Sequence, residues 1–291
     1  MECVKRRIKL RYNTSMSLRH KQHDTIYYTY NNNPKLPVII MIHGFRGTHH
    51  GMDLIAKRLN EYMVIVPDLP GFGETKPLAN EHSIENYVKW LNKFIIGLNL
   101  SKPPILLGHS FGSIITAHYA TEYPETIEKL ILVNPIGSPA LKGPKAIMTR
   151  LAIVYYWLGR KLPERLATAL LSSKLIVLIM SNTMAKTSDK ELRNFIHNQH
   201  LTHFSSFTNS QVVAEAFNAS VKNTVRDVAH KISLPTLLIA GDIDDITPIN
   251  EQHELSRIFS NAKIEVIKGV GHLTHYETPE IVADAIVKFT R

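Results

Sequence analysis

Pro104-Ile105-Leu106-Leu107-Gly108-His109-Ser110-Phe111-Gly112 carries a short apolar run into a glycine-flanked serine, and an apolar-periodic stretch from Ile114 to Tyr123 follows at once. A strand that turns within one residue into a helix, with serine at the apex and glycine on both sides, is the G-x-S-x-G nucleophile elbow. The glycines have a steric reason: a side chain at 108 or 112 would collide with the neighbouring strand or helix. Strain at the apex holds the Ser110 hydroxyl out, beside a helix N-terminus whose free N–H groups favour developing negative charge. A bare G-x-S-x-G occurs by composition in about one chain in ten of this length, so its surroundings decide its meaning.

Those surroundings alternate. Val38–Ile42, Met63–Val66, Ile105–Leu107, Leu130–Val133, Thr236–Ala240 and Ile264–Ile267 read as buried strands. Amphipathic stretches separate them: Gly51–Asn60, Ser83–Leu98 with Ser83 as N-cap, the run after Ser110, Asn250–Phe259 and Pro279–Phe289. Continuous apolar strands between amphipathic helices predict an α/β fold with a mostly parallel sheet covered on both faces. Arg7–Tyr12 and Thr25–Tyr30 predict an antiparallel edge.

Residues 137–231 break the pattern. This segment is helix-like and rich in large apolar residues, among them Leu151, Tyr155, Tyr156, Trp157 and the run Leu175–Met180. The expected organisation is a core of 1–136 and 232–291 with a helical cap, 137–231, inserted between two strands and lying over the strand ends where ligands bind in open sheets.

A serine hydroxyl needs a base, a carboxylate to orient that base, and donors for an oxyanion. In an elbow fold these follow in the order serine, acid, histidine. His272, in the Gly269-Val270-Gly271-His272 loop after the last strand, is the positional base, with His275 its structural neighbour. The acid belongs after Thr236–Ala240, where position leaves Asp242, Asp244 and Asp245 open. The backbone N–H of Phe111, directly after the nucleophile, and that of Phe45, in His43-Gly44-Phe45-Arg46-Gly47, are the expected oxyanion donors.

With HGFRG (43–47), DLPGFGETKP (68–77), GHSFG (108–112), GDIDDITP (241–248) and GVGHLTHYETP (269–279), the chain resembles the cap-bearing members of the α/β-hydrolase superfamily. The resemblance covers nearly the whole chain outside the cap. It implies an acid at the fourth place of G-x-x-D-x-x-x-P, which here is Asp244 between Gly241 and Pro248. Serine at the elbow argues against haloalkane dehalogenases and epoxide hydrolases of this fold, which use aspartate there. The implied activity is a cofactor-independent serine hydrolase cleaving a small-molecule ester or thioester with an apolar acyl or aromatic part. A carbon–carbon hydrolase of the meta-cleavage type is an alternative, although His109 and Leu273 stand where that group often has Asn and Trp. A triad-bearing receptor with little turnover is the other.

Composition sets further bounds. The net charge of +9 is uneven: residues 137–231 hold 13 Lys/Arg against 5 Asp/Glu, and residues 1–36 hold 8 against 2. A basic surface suits an anionic substrate group or an acidic membrane surface. No nucleic-acid module is recognisable, and no H-E-x-x-H or comparable ligand spacing predicts a metal site. The single cysteine, Cys3, excludes an intrachain disulfide and fits a reducing cytoplasm. The longest purely apolar run is too short to cross a bilayer, and the basic N-terminus lacks the apolar core of a secretory signal. Stable membrane insertion is therefore not expected.

Overall fold

The computed structural model describes residues 17–138 and 146–291. Eight strands form one sheet: β1 (Leu18–Gln22), β2 (Thr25–Tyr30), β3 (Val38–Ile42), β4 (Met63–Pro67), β5 (Ile105–His109), β6 (Lys129–Val133), β7 (Thr236–Gly241) and β8 (Ala262–Ile267), in the spatial order β1-β2-β4-β3-β5-β6-β7-β8. From β4 to β8 every pairing is parallel, whereas β2 runs antiparallel to both β1 and β4. The antiparallel edge thus exists, but its outer strand is Leu18–Gln22. The predicted strand Arg7–Tyr12 lies outside the described residues. β1 escaped the pattern search because Leu-Arg-His-Lys-Gln is polar; an edge strand facing water needs no apolar alternation.

The helices are α1 (Asp53–Ala56), α2 (Ile84–Gly97), α3 (Phe111–Glu122), then α4 (Ala146–Lys161), α5 (Glu164–Leu171), α6 (Lys174–Met184), α7 (Lys190–His203), α8 (Ser210–Lys222) and α9 (Arg226–Ala229), followed by α10 (Ile249–Ser256), α11 (Thr274–Glu277) and α12 (Pro279–Thr290). Strand side chains alternate between the sheet faces. Ile40, Ile42 and Leu106 pack with α2 and α3, while Ile39, Met41 and Leu107 pack with α1 and α12. Ser83 accepts a hydrogen bond from the Asn86 N–H at 3.2 Å, capping α2 as its sequence predicts.

The helices α4 to α9 all fall between β6 and β7. Tyr156 of α4, Leu171 of α5 and Val212, Val213 and Ala216 of α8 join the core on the α2–α3 side. Ile196 of α7 packs instead with Leu54, Leu273 and Tyr276. The loop 68–77 is stitched to the insert by Gly73 N–H to the Ser206 carbonyl at 2.8 Å and Thr208 N–H to the Gly71 carbonyl at 2.9 Å. Among the described residues, Glu164–Met184 is long and apolar enough to cross a membrane by length and composition alone. It is two helices rather than one, divided at Ser172–Ser173.

Candidate active site

Ser110 sits between β5 and α3 with φ 52° and ψ −117°, a conformation L side chains rarely adopt. Two close approaches hold it there. A Cβ on Gly112 would stand 2.3 Å from the Ile42 carbonyl oxygen, and one on Gly108 2.4 Å from that of Gly112. Strand β3, strand β5 and the first turn of α3 can therefore meet only through glycine. The turn is closed by Ser110 N–H to the Val133 carbonyl at 3.0 Å and Ser113 N–H to the Ser110 carbonyl at 2.8 Å.

His272, in the loop between β8 and α11, brings Nε2 to 2.8 Å from Ser110 Oγ. Its Nδ1 lies 2.8 Å from Asp244 Oδ2. Both His272 and Asp244 are buried. The three aspartates after β7 part ways: Asp244 meets His272, Asp242 accepts from the Gly269 N–H at 2.6 Å, and Asp245 accepts from Lys186 Nζ at 2.5 Å. His275 does not reach Ser110; it packs against His109, with ring centroids 4.2 Å apart.

Asp244 is held by more than the imidazole. Asn134 Nδ2 donates to Oδ2 at 2.9 Å, the Thr247 hydroxyl to the same oxygen at 2.5 Å, and the Ile246 and Thr247 N–H groups to Oδ1 at 2.7 and 3.0 Å. Burial alone would push this carboxyl up. The neighbouring His272 and the Thr247 donors outweigh burial and keep it well below the ordinary carboxylate range. Asn134 is anchored in turn by accepting from the Thr274 hydroxyl at 2.6 Å.

Phe111 opens α3, where first-turn N–H groups lack intrahelical partners. Phe45 lies in the turn closed by Gly47 N–H to the Gly44 carbonyl at 3.0 Å, a bond that leaves its own N–H out. A Cβ on Gly44 would lie 3.3 Å from Ser110 Cβ, so this turn faces the serine directly. His43 braces it: Nδ1 donates to the Gly44 carbonyl at 2.9 Å, and Nε2 accepts from the Leu69 N–H at 2.9 Å. That pair of bonds requires a neutral ring, and burial lowers the His43 pKa accordingly. Asp68, after β4, accepts from both the N–H and Nδ1 of His49, at 2.7 and 2.9 Å.

The side chains of Phe45 and Phe111 meet edge to face, 6.3 Å apart, and Phe45 also meets Tyr156 at 5.5 Å and Phe217 at 5.9 Å. An aromatic cluster contributed by both core and insert thus surrounds Phe45, in the turn that approaches Ser110. A separate cavity of about 360 Å³, lined by residues including Thr25, Lys76, Trp90 and Phe94, involves none of Ser110, Asp244 and His272. Among the described residues no group of three or more His, Cys, Asp or Glu is placed to hold a metal ion.

Asn134, Asp68 and Arg46 were not singled out by sequence reasoning. For the first two a signal existed: each is the first polar residue after a fully apolar strand, at the sheet end where the serine stands. Arg46 offered none, since a lone arginine in a loop normally faces water.

A serine at a strained strand-to-helix turn, one histidine between it and a carboxylate, and a parallel sheet beneath define a serine-hydrolase scaffold. Residues 37–279 match the alpha/beta hydrolase fold model, and the chain belongs to that family. Monoacylglycerol lipase ABHD6 of Mus musculus is 28% identical over 288 residues, covering 94% of this chain and 82% of that protein. Lipase 1 of Psychrobacter immobilis is 25% identical over 275 residues, 90% of this chain and 79% of that one. The solved structure of a thermophilic esterase from Thermogutta terrifontis shares the fold with a TM-score of 0.73 at 23% identity, covering 95% of this chain and 98% of that one. The protein is a hydrolase of the esterase and lipase kind.

Proposed function

We propose that this protein cleaves a small-molecule carboxylic ester or thioester with an apolar acyl or aromatic part, through an acyl-enzyme on Ser110. The observation that carries the reading is the pair of 2.8 Å contacts linking Ser110 Oγ, the His272 ring and Asp244. His272 Nε2 takes the Ser110 proton as Oγ attacks the carbonyl carbon. Asp244 accepts from Nδ1, fixing the tautomer and stabilising the imidazolium. The Phe45 and Phe111 N–H groups hold the oxyanion; each is worth about 2.7–4 kcal/mol in the transition state. His272 returns its proton to the leaving group, then draws one from water, which attacks the acyl carbonyl and frees the acid.

The helices of 137–231 act as a cap over this centre, and the cluster of Phe45, Phe111, Tyr156 and Phe217 favours an apolar acyl or aryl group. The lipases among the relatives make aliphatic acyl esters the first choice. One cysteine in 291 residues fits a reducing compartment, so we place the enzyme on the cytoplasmic side.

A screen of acyl-chain lengths, aryl esters and thioesters tests the reading, with Ser110→Ala as control. Fluorophosphonate should label Ser110 quickly, and His272→Ala should block that labelling. Full esterase activity in Ser110→Ala would overturn the mechanism, and failure to label would favour a binding protein without turnover.

A further inference from the structure

Twelve large apolar side chains are exposed among the described residues, and seven of them lie between 151 and 179. On α4 they are Leu151, Val154, Trp157 and Leu158, with exposures of 60, 52, 54 and 38%. Their spacing of three and four puts them on one side of the helix, while Tyr156 and Gly159 on the other side are buried. α5 packs against α4 and exposes Leu166. It continues through two serines into α6, where Leu175 and Ile179 stand four residues apart, outward of buried Val177 and Ser181. An insert that needed only to seal the site would bury such residues and turn polar ones outward.

The same three helices are basic. Arg150, Arg160, Lys161, Arg165 and Lys174 are all exposed, and none has an acidic partner among the described residues. The one acid on α4–α6, Glu164, is already engaged, accepting from the Ser210 hydroxyl at 2.6 Å and the Thr168 hydroxyl at 2.9 Å. Exposed Trp and Leu on a helix flanked by Arg and Lys is the composition of a segment that lies in a membrane interface. A second copy of this chain would bring five uncompensated cations against five more, which opposes self-association through this face.

We propose that the outer face of α4–α6 docks on an anionic lipid bilayer surface, with the apolar stripe among the acyl chains and the basic side chains at the headgroups. The geometry connects this face to the site. Trp157 points outward while the adjacent Tyr156 meets Phe45, at 5.5 Å, in the aromatic cluster at the turn that approaches Ser110. A docked α4 therefore sets that cluster one helix thickness from the bilayer. The docking rests on the surface alone; the further consequence, that the ester is drawn from the bilayer, rests on the hydrolase reading above.

The test is co-sedimentation of the full chain with phosphatidylcholine vesicles, with and without phosphatidylglycerol. Two variants accompany it: Leu151→Ser/Val154→Ser/Trp157→Ser and Arg160→Gln/Lys161→Gln. Binding should be ~tenfold or more stronger to the anionic vesicles and should weaken with salt. Each variant should lose ~tenfold or more of it while hydrolysing a water-soluble short-chain ester as the parent does, which shows that the site still folds. Binding unchanged in both variants, or no binding to either vesicle, overturns the proposal. So does a dimer of the parent that the apolar variant dissociates, which would assign the face to a second copy. If no ester is hydrolysed by any form, the hydrolase reading fails while the vesicle result still decides the docking.

Discussion

The Arg46 guanidinium donates from Nη2 to the Leu171 carbonyl at 2.6 Å, tying the loop after β3 to the C-terminal end of α5. Its Nε donates to the Phe204 carbonyl, at the end of α7, at 3.0 Å, and the Phe204 and Phe207 rings lie 4.8 and 5.5 Å from the charge. The side chain is 0% exposed, and among the described residues no carboxylate pairs with it. A buried cation is tolerable because helix C-terminal carbonyls carry partial negative charge and the two rings add their quadrupoles. Arg46 thus ties the turn that carries Phe45 to two helices of the insert.

Removing that tie should loosen these helices and the turn bearing Phe45 together. Arg46→Met strands two buried carbonyls and should cost about 2–4 kcal/mol of stability. Arg46→Lys keeps the charge but not the fork, and should recover only part of the loss. Hydrogen exchange should rise at 164–171 and 200–208 ahead of the sheet, and kcat should fall more than KM rises. Equal exchange across the whole chain would contradict a local strut.

Asn134 should act through Asp244. Asn134→Ala removes the 2.9 Å donor to Oδ2 and should lower kcat about tenfold, the equivalent of one charge-assisted hydrogen bond, with KM nearly unchanged. Asn134→Asp places a second carboxylate beside Asp244. Like charge raises the Asp244 carboxyl pKa from its depressed value. That moves the acid limb of the pH–rate profile to higher pH, which a profile of kcat/KM would register.

Acid should destabilise the fold through its buried imidazoles. Burial is the main cause that lowers His109 to about 3 and His200 to about 4, and it takes His275 well below its ordinary value. Above pH 6.5 these rings are neutral in both folded and unfolded chains. Below it the unfolded chain takes up protons that the folded one refuses, so stability falls as pH drops from 6.5 towards 4. Each such group contributes about 1.4 kcal/mol per pH unit in that window. Urea midpoints between pH 7 and 4.5 should fall accordingly, and His200→Gln should flatten the dependence.

Two glycines that crowd the elbow, Gly112 within it and Gly44 in the loop after β3, should fail in different ways. Gly112→Ala drives a Cβ against the Ile42 backbone oxygen, which cannot move without the sheet, and should cost about 3 kcal/mol or more. Gly44→Ala meets His109 Nδ1 at 3.1 Å and Ser110 Cβ at 3.3 Å, contacts relieved by shifts of a few tenths of an ångström. It should leave thermal unfolding nearly unchanged yet reduce kcat, because the displaced group is the serine itself. Melting curves beside steady-state rates separate the two.

Periodicity and turn chemistry are local, and what they control was legible early. The parallel strands, the G-x-S-x-G turn and the loops bearing Asp244 and His272 each depend on residues a few positions apart, whose allowed backbone shapes follow from sterics. Leu18–Gln22 was missed for the same reason: a solvated edge carries no pattern. Position could narrow the acid only to three neighbouring aspartates, and the resemblance to a known motif pointed to Asp244.

The remainder depends on contacts between distant parts of the chain. That Asp242 serves Gly269, Asp244 meets His272 and Asp245 meets Lys186 is decided by three partners lying 27, 28 and 59 positions away. Asn134 reaches Asp244 across 110 residues, and Arg46 reaches Leu171 across 125. A side chain's partner, its burial and hence its charge state are properties of the packed whole, so the arginine in HGFRG became a buried strut only when two helices closed over it. The outward stripe on α4 has the same origin. Packing, not the sequence pattern, turns Tyr156 inward and leaves Trp157 facing out.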